Sequence, residues 1–290
     1  MGLGMPFQGT LVWKPETSYK IGGSGTGYLF SDKVLDAKID FGKTYQELRG
    51  ISSPSICGYV GTVSDYTIHV EWIAQSITNG SVVTQCLRKV STGTMPSICI
   101  ELGVNTVNTT KSYYYMKGCV CKQLNIKASS GGYYVYSADF SVASVTQGTT
   151  ATLNNHAAYN GGYAAFNKAG HVIAKNTSTA IATIVDGIDV TINNNTTDYY
   201  GVSPWKQACI PGACDITGSV DISLDNGGKV FTDGLYTGLT NIYLNMNITT
   251  WGKWTFGTAR WDGLVIDANT SNDMVKTNQK FIAKTVTVAT

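Results

Sequence analysis

The feature that most constrains this chain is a two-residue alternation of polar and apolar positions, punctuated by paired glycines. Across residues 65–72 the alternation puts Tyr66, Ile68, Val70 and Trp72 on one face of a strand. From Met116 it runs through Cys119, Cys121, Leu124 and Ile126, reaches Ser130-Gly131-Gly132, and returns as residues 133–140. A glycine pair between two alternating runs marks a β-hairpin, because primed turns need the positive φ that glycine adopts without penalty. The pattern echoes further along. Val220-Asp221-Ile222-Ser223-Leu224-Asp225-Asn226-Gly227-Gly228 lines up with residues 124–132. A second, weaker echo pairs Tyr59-Val60-Gly61 with Tyr236-Thr237-Gly238.

The expected fold is therefore all-β, with two related sandwich or barrel-like modules and at most a short helix. The modules are expected over 36–145 and 193–290. An N-terminal arm at 1–35 precedes them, carrying the flexible run Gly22-Gly23-Ser24-Gly25-Thr26-Gly27. A loop or linker at 146–192, rich in Gly, Asn and Ala with a strand-like end, joins them. Cap-type residues at 270–280 mark the place for a helical turn.

Composition excludes several classes. Charged residues make up 14% of the chain, against about 25% in ordinary soluble proteins. The net charge of +2 does not suit a strongly basic nucleic-acid binder. A hydrophobic fraction of 43% argues against disorder. No apolar run reaches the roughly 18 residues that a membrane-crossing helix requires. Residues 1–8 have neither the basic segment nor the apolar run of a secretory signal, so synthesis and assembly in a cytoplasm are expected, with the Asn-x-Ser/Thr sequons unused.

No residue pattern asks for catalysis, a cofactor or a metal. His69, His156 and His171 stand apart, and neither a Gly-x-Ser-x-Gly elbow nor a His-Glu-x-x-His helix occurs. The pairs Asp36 with Asp40 and Asp262 with Asp267 read as solvated charges. The glycines at 22–27 lack the lysine of a phosphate loop. The seven cysteines read as buried free thiols, with Cys209 and Cys214 as a candidate disulfide. Trp251 and Trp254 could form a carbohydrate-stacking platform.

The run 112–126, Ser-Tyr-Tyr-Tyr-Met-Lys-Gly-Cys-Val-Cys-Lys-Gln-Leu-Asn-Ile, resembles the aromatic-x-Gly hairpin of tail tube proteins from long-tailed bacteriophages and related archaeal viruses. Residues 137–143 resemble its return strand, and Thr44-Tyr45-Gln46-Glu47-Leu48-Arg49-Gly50 with the 66–72 strand resembles the family's first β segment. The long 141–170 loop and the cysteines depart from the pattern. The resemblance implies a structural virion protein that assembles with itself into trimeric or hexameric stacked rings. The rings form the tail tube, a conduit for DNA ejection. Implied partners are the tape measure, tail terminator and baseplate or tip proteins, with double-stranded DNA passing the lumen unread and no membrane. Candidate inter-subunit positions are Tyr66, Ile68, Val70, Gly131, Gly132, Gly227 and Gly228, with the arm and the 141–170 loop reaching the next ring. Two other readings stay open: an extracellular β-rich filament or surface protein, and a carbohydrate-binding β-sandwich.

Overall fold

The computed structural model describes residues 9–49, 56–75, 82–89, 92–105, 111–157, 163, 165–166, 171–175, 179–182, 185–224, 241–246, 253–267 and 275–289. In chain order the elements begin with β1 (Gly9–Pro15), β2 (Gly25–Leu29), β3 (Val34–Arg49), β4 (Ile56–Ile73) and a single helical turn, α1 (Val82–Gln85). There follow β5 (Ile98–Asn105), β6 (Lys111–Ser129), β7 (Val135–Val142), β8 (Ser144–Gly148), β9 (Leu153–Ala157), β10 (His171–Lys175) and β11 (Thr179–Ala182). The last are β12 (Val185–Asn193), β13 (Thr197–Tyr199), β14 (Ala208–Ile210), β15 (Asp215–Leu224), β16 (Asn241–Met246), β17 (Lys253–Gly257), β18 (Arg260–Asp267), β19 (Val275–Ala283) and β20 (Thr285–Ala289).

The strand β6 organises the layers. Its first half pairs with β5 on one edge and β8 on the other; its second half pairs with β7 and β12. The change of partners falls at Gly118, whose φ is +62°. A β-carbon there would stand 2.7 Å from that of Ala143, so both the backbone and the packing require glycine. The Gly118 N–H leaves the ladder and donates to the Glu16 carboxylate at 3.1 Å. One strand thereby serves two layers, as bulges and bends allow at sheet corners.

The first layer holds β5, β1, β2 and β9 beside the front of β6. The second runs β18-β19-β15-β12-β6 and continues through β7 and β4 to β3. A separate five-stranded sheet has the order β11-β10-β16-β17-β20. Aromatic side chains fill the space between the layers. Trp72 meets Phe30 at 5.4 Å and Tyr136 at 5.7 Å; Trp254 meets Tyr136 at 6.2 Å, and Phe256 meets Phe281 at 5.4 Å. One face of the second layer is thus covered by the first layer at one end and by the five-stranded sheet at the other. On its opposite face Asp198 and Lys206 pack over Ser141, and around His69, Asp139, Asn125 and Asp189 the side chains pair within the layer itself.

The all-β expectation is met, as hydrogen-bonded sheets rather than a closed barrel among the described residues. Four local expectations change. The arm at 1–35 contains β1 and β2, and β1 lies between β2 and β5 because Leu11, Val12 and Trp13 are core residues. The 146–192 linker contributes β12, which pairs with β6 and with β15 and so joins the two halves in one sheet. Within the 141–170 loop lie β8 and β9; β9 begins where the buried Glu101 carboxylate accepts the Thr152 and Leu153 amides at 2.7 and 3.3 Å. The place expected for a helical turn holds the start of β19, and the turn of helix occurs instead at α1, where Val82 and Val83 are buried.

The Trp72→Ala variant removes the ring on which Phe30 and Tyr136 pack and is expected to cost about 3–5 kcal/mol. Urea unfolding measures it; a loss below about 1 kcal/mol would contradict this packing.

Candidate assembly surfaces

Polar satisfaction and side-chain polarity distinguish three surfaces. The first is a ribbon. β3 and β4 pair along almost their whole length, but β4 pairs with β7 only over residues 66–73. Beyond Asp65, residues 42–49 and 56–65 form a two-stranded strip to which no other described strand is hydrogen-bonded. At about 3.4 Å per residue it extends roughly 25 Å from the layer. Residues 56–64 include Ile56, Cys57, Tyr59, Val60 and Val63 and no charge. An isolated two-stranded ribbon is marginal in water, and uncharged apolar strands are ordinarily covered.

The second surface is the excursion from Thr197 to Ile210, built on the β13–β14 pair. It is anchored by Lys206, whose side chain is fully buried. The Lys206 ammonium lies 2.9 Å from Asp198 Oδ2, donates to Ser141 Oγ and stands 3.5 Å from Asp65. Ser141 Oγ in turn donates to Asp198 Oδ1 at 2.7 Å, and Lys122 reaches Asp198 at 3.1 Å. Burial alone would raise the Asp198 pKa. The Ser141 hydroxyl and the Lys206 and Lys122 charges override it and hold the carboxyl below its usual value. At the neck, the Asn194 side chain donates to the carbonyls of Cys86 and Cys121, both at 3.0 Å. The Ser64 N–H donates to the Pro204 carbonyl at 3.2 Å where the ribbon leaves the layer. Outside this anchor, Tyr199, Val202, Trp205 and Ile210 are exposed, Trp205 at 50%. Trp205 lies 6.5 Å from Tyr66, and Tyr66 lies 5.9 Å from the exposed Phe41.

The third surface is the polar face of the second layer. Here the residues that alternate with the core come together: Thr67, His69 and Glu71 on β4, Ser137 and Asp139 on β7, Asn125 and Lys127 on β6, and Thr191 and Asp189 on β12. Side chains on this face pair across strands. His69 Nδ1 is 2.7 Å from Asp139, Lys127 is 3.3 Å from Asp189, and Thr191 Oγ1 donates to Asn125 at 2.9 Å.

The residues singled out from the sequence fall unevenly on these surfaces. Tyr66, Ile68 and Val70 are buried, on a stretch of β4 flanked by β3 and β7. They form core, and their outward neighbours are Thr67, His69 and Glu71. Gly131 and Gly132 make the expected β6–β7 turn, with Gly131 at φ +79° and the Gly132 N–H bonded to the Ser129 carbonyl at 2.9 Å. Gly227 and Gly228 lie outside the described residues. Cys209 and Cys214 are free thiols and not a disulfide: Cys214 turns to Asn194, while Cys209 sits in the ladder opposite Asp198. Cys86, Cys99, Cys119 and Cys121 are buried thiols, and burial pushes Cys119 and Cys121 well above the usual thiol range. Trp254 is a core residue against Tyr136 and Phe256, which removes it from any stacking platform; Trp251 lies outside the described residues. The Thr197–Ile210 excursion was not singled out in the sequence. Its signal was the pairing of Trp205 with Lys206 amid turn-forming residues, and nothing local says which of the two is buried.

The fold is that of a β-rich protein built from stacked sheets. The chain belongs to the phage tail tube protein family, whose model matches residues 58–253. It is accordingly a structural component of a virion. Among solved structures, a chain in "Cryo-EM structure of the anti-feeding prophage (AFP) baseplate, 6-fold symmetrised" is similar with a TM-score of 0.34 at 5% identity, over 51% of this chain and 96% of that one. The comparison with curated proteins finds no match.

Breaking the buried cluster on one side strands a charge, so Lys206→Met is expected to cost about 3 kcal/mol in urea unfolding at pH 7. The Asp198 carboxyl is depressed in the folded state. Its contribution is present above the unfolded carboxylate pKa, near 4, and is lost as pH falls through the lower folded value. Asp198→Asn should therefore be less stable than the wild type at pH 7, with the gap closing below about pH 4. A gap independent of pH would contradict the assignment.

Proposed function

We propose that this protein assembles with copies of itself into stacked rings that form the tail tube and conduct DNA during ejection. The observation that carries the reading is the ribbon beyond Asp65, two strands wide and uncharged along β4, which needs a neighbour's surface to cover it. Edge pairing repeated around a ring leaves no strand edge exposed.

The polar face of the second layer suits the wall of the conduit. Two of its basic side chains meet carboxylates across the strands, Lys127 with Asp189 and His69 with Asp139; Lys38 stands in register with His69, and Asp36, Asp40 and Glu71 add negative charge beside them. Unpaired basic side chains would bind phosphates and release counterions, holding the duplex in place. Paired bases and surplus carboxylates let it pass. The sequence echo between 124–132 and 220–228 fits a ring of three chains, each supplying two modules over 36–145 and 193–290, or a hexameric ring with the second module outward. Assembly in the host cytoplasm and contacts with tape measure, terminator and baseplate proteins complete the proposal.

Negative-stain microscopy of the purified protein over a concentration series tests it. Rings or hollow tubes are expected. Monomers at every concentration and salt would overturn the reading.

A further inference from the structure

The Thr197–Ile210 excursion has its polarity inverted. A connecting segment ordinarily turns its charges to water and its apolar groups inward. Here Lys206 is fully buried and Asp198 nearly so, while Tyr199, Val202, Trp205 and Ile210 point outward. Drying a lysine is unfavourable unless it is fully paired, and three oxygen-bearing side chains from β4, β7 and β13 surround this one. The arrangement therefore fixes a rigid outer surface made of apolar side chains. Scattered exposed apolar residues mean little, but these share one segment and continue through Trp205, Tyr66 and Phe41 to Tyr114, with Phe41 and Tyr114 rings 6.0 Å apart.

We infer that this surface is the socket that receives the β3–β4 ribbon of a neighbouring copy. The inference rests on the assembly reading above and adds the two surfaces that meet. Three observations select that occupant. Beyond Asp65 no other described strand pairs with the ribbon, and its β4 stretch from residue 56 to 64 carries no charge that contact would strand, the charges Lys43, Glu47 and Arg49 all lying on β3. The socket is continuous with the root of the ribbon through the Ser64 to Pro204 hydrogen bond and the contact of Trp205 with the buried Tyr66. Ribbon and socket are different surfaces of one chain, and a contact between unlike surfaces repeats head to tail, closing as a ring or continuing as a filament.

The test has two arms on the full-length chain. Val202→Asp and Trp205→Ser change exposed side chains. Each is expected to raise the concentration needed for assembly, followed by analytical ultracentrifugation, at least tenfold while leaving the melting temperature of the monomer unchanged. In the second arm, p-benzoyl-phenylalanine replaces Val202, and mixtures of light and isotope-labelled chains are irradiated after assembly. The expected crosslinks join residue 202 of one copy to the 42–65 segment of another. Assembly of both variants at the wild-type concentration, or crosslinks only to other segments, would overturn the socket and leave the assembly reading standing. A wild-type protein that never assembles would overturn that reading itself.

Discussion

A single bend in β6 holds the two layers together. At Gly118 the chain takes a conformation that a side chain would forbid, the ladder passes from one set of partners to another, and the released amide is caught by Glu16. Glu16 also accepts the Gly22 amide at 2.9 Å, which fixes the turn after β1. Next to it the Tyr115 hydroxyl accepts from the Gly23 amide at 2.7 Å and donates to the Gly23 carbonyl at 2.6 Å. The N-terminal strands are therefore locked to the same strand whose far half carries β7 and β12. Without that bend the first layer could not cover the second, and Phe30 could not reach Trp72 and Phe140.

The second layer runs across both halves of the chain because β12 sits between β6 and β15, its register against β15 shifting only between Val185 and Gly187. Ile188, Val190 and Ile192 face the core, and Asp189 and Thr191 face outward. One broad surface results, covered on one side and polar on the other. That polarity, together with the ribbon at the β3–β4 edge, gives a chain with a core of its own and a strand pair that no other described strand joins.

Period-two alternation was legible wherever a strand has one wet face. The 65–72 run and the hairpin through Gly131-Gly132 could be read directly, because each outward residue is polar and each inward one apolar. The arm at 1–35 and the linker at 146–192 hold more strand than expected. β1 is short, and its core residues Leu11, Val12 and Trp13 are consecutive, so no alternation marks it. β12 is the strand-like end expected of the 146–192 segment, but its place between β6 and β15 is fixed by strands far away in sequence, which its own alternation does not name. Alternation also says which residues share a face without saying whether that face meets the chain's own core or another copy. Tyr66, Ile68 and Val70 were placed correctly on one face and assigned to the wrong side of the subunit boundary. Lys206 shows the limit most plainly, since a lysine in a turn-rich segment carries no local sign that Asp65 and Ser141, far away in sequence, will enclose it together with Asp198.

The central claim is that the ribbon formed by residues 42–49 and 56–65 is completed by a neighbour. Hydrogen–deuterium exchange compares it directly in dilute monomer and in assembled protein. In the monomer these amides should exchange far faster than those of residues 66–73, which β7 and β3 hold on both sides. In the assembly the two groups should be protected alike. Ribbon amides already protected in the monomer, or still fast after assembly, would contradict the account.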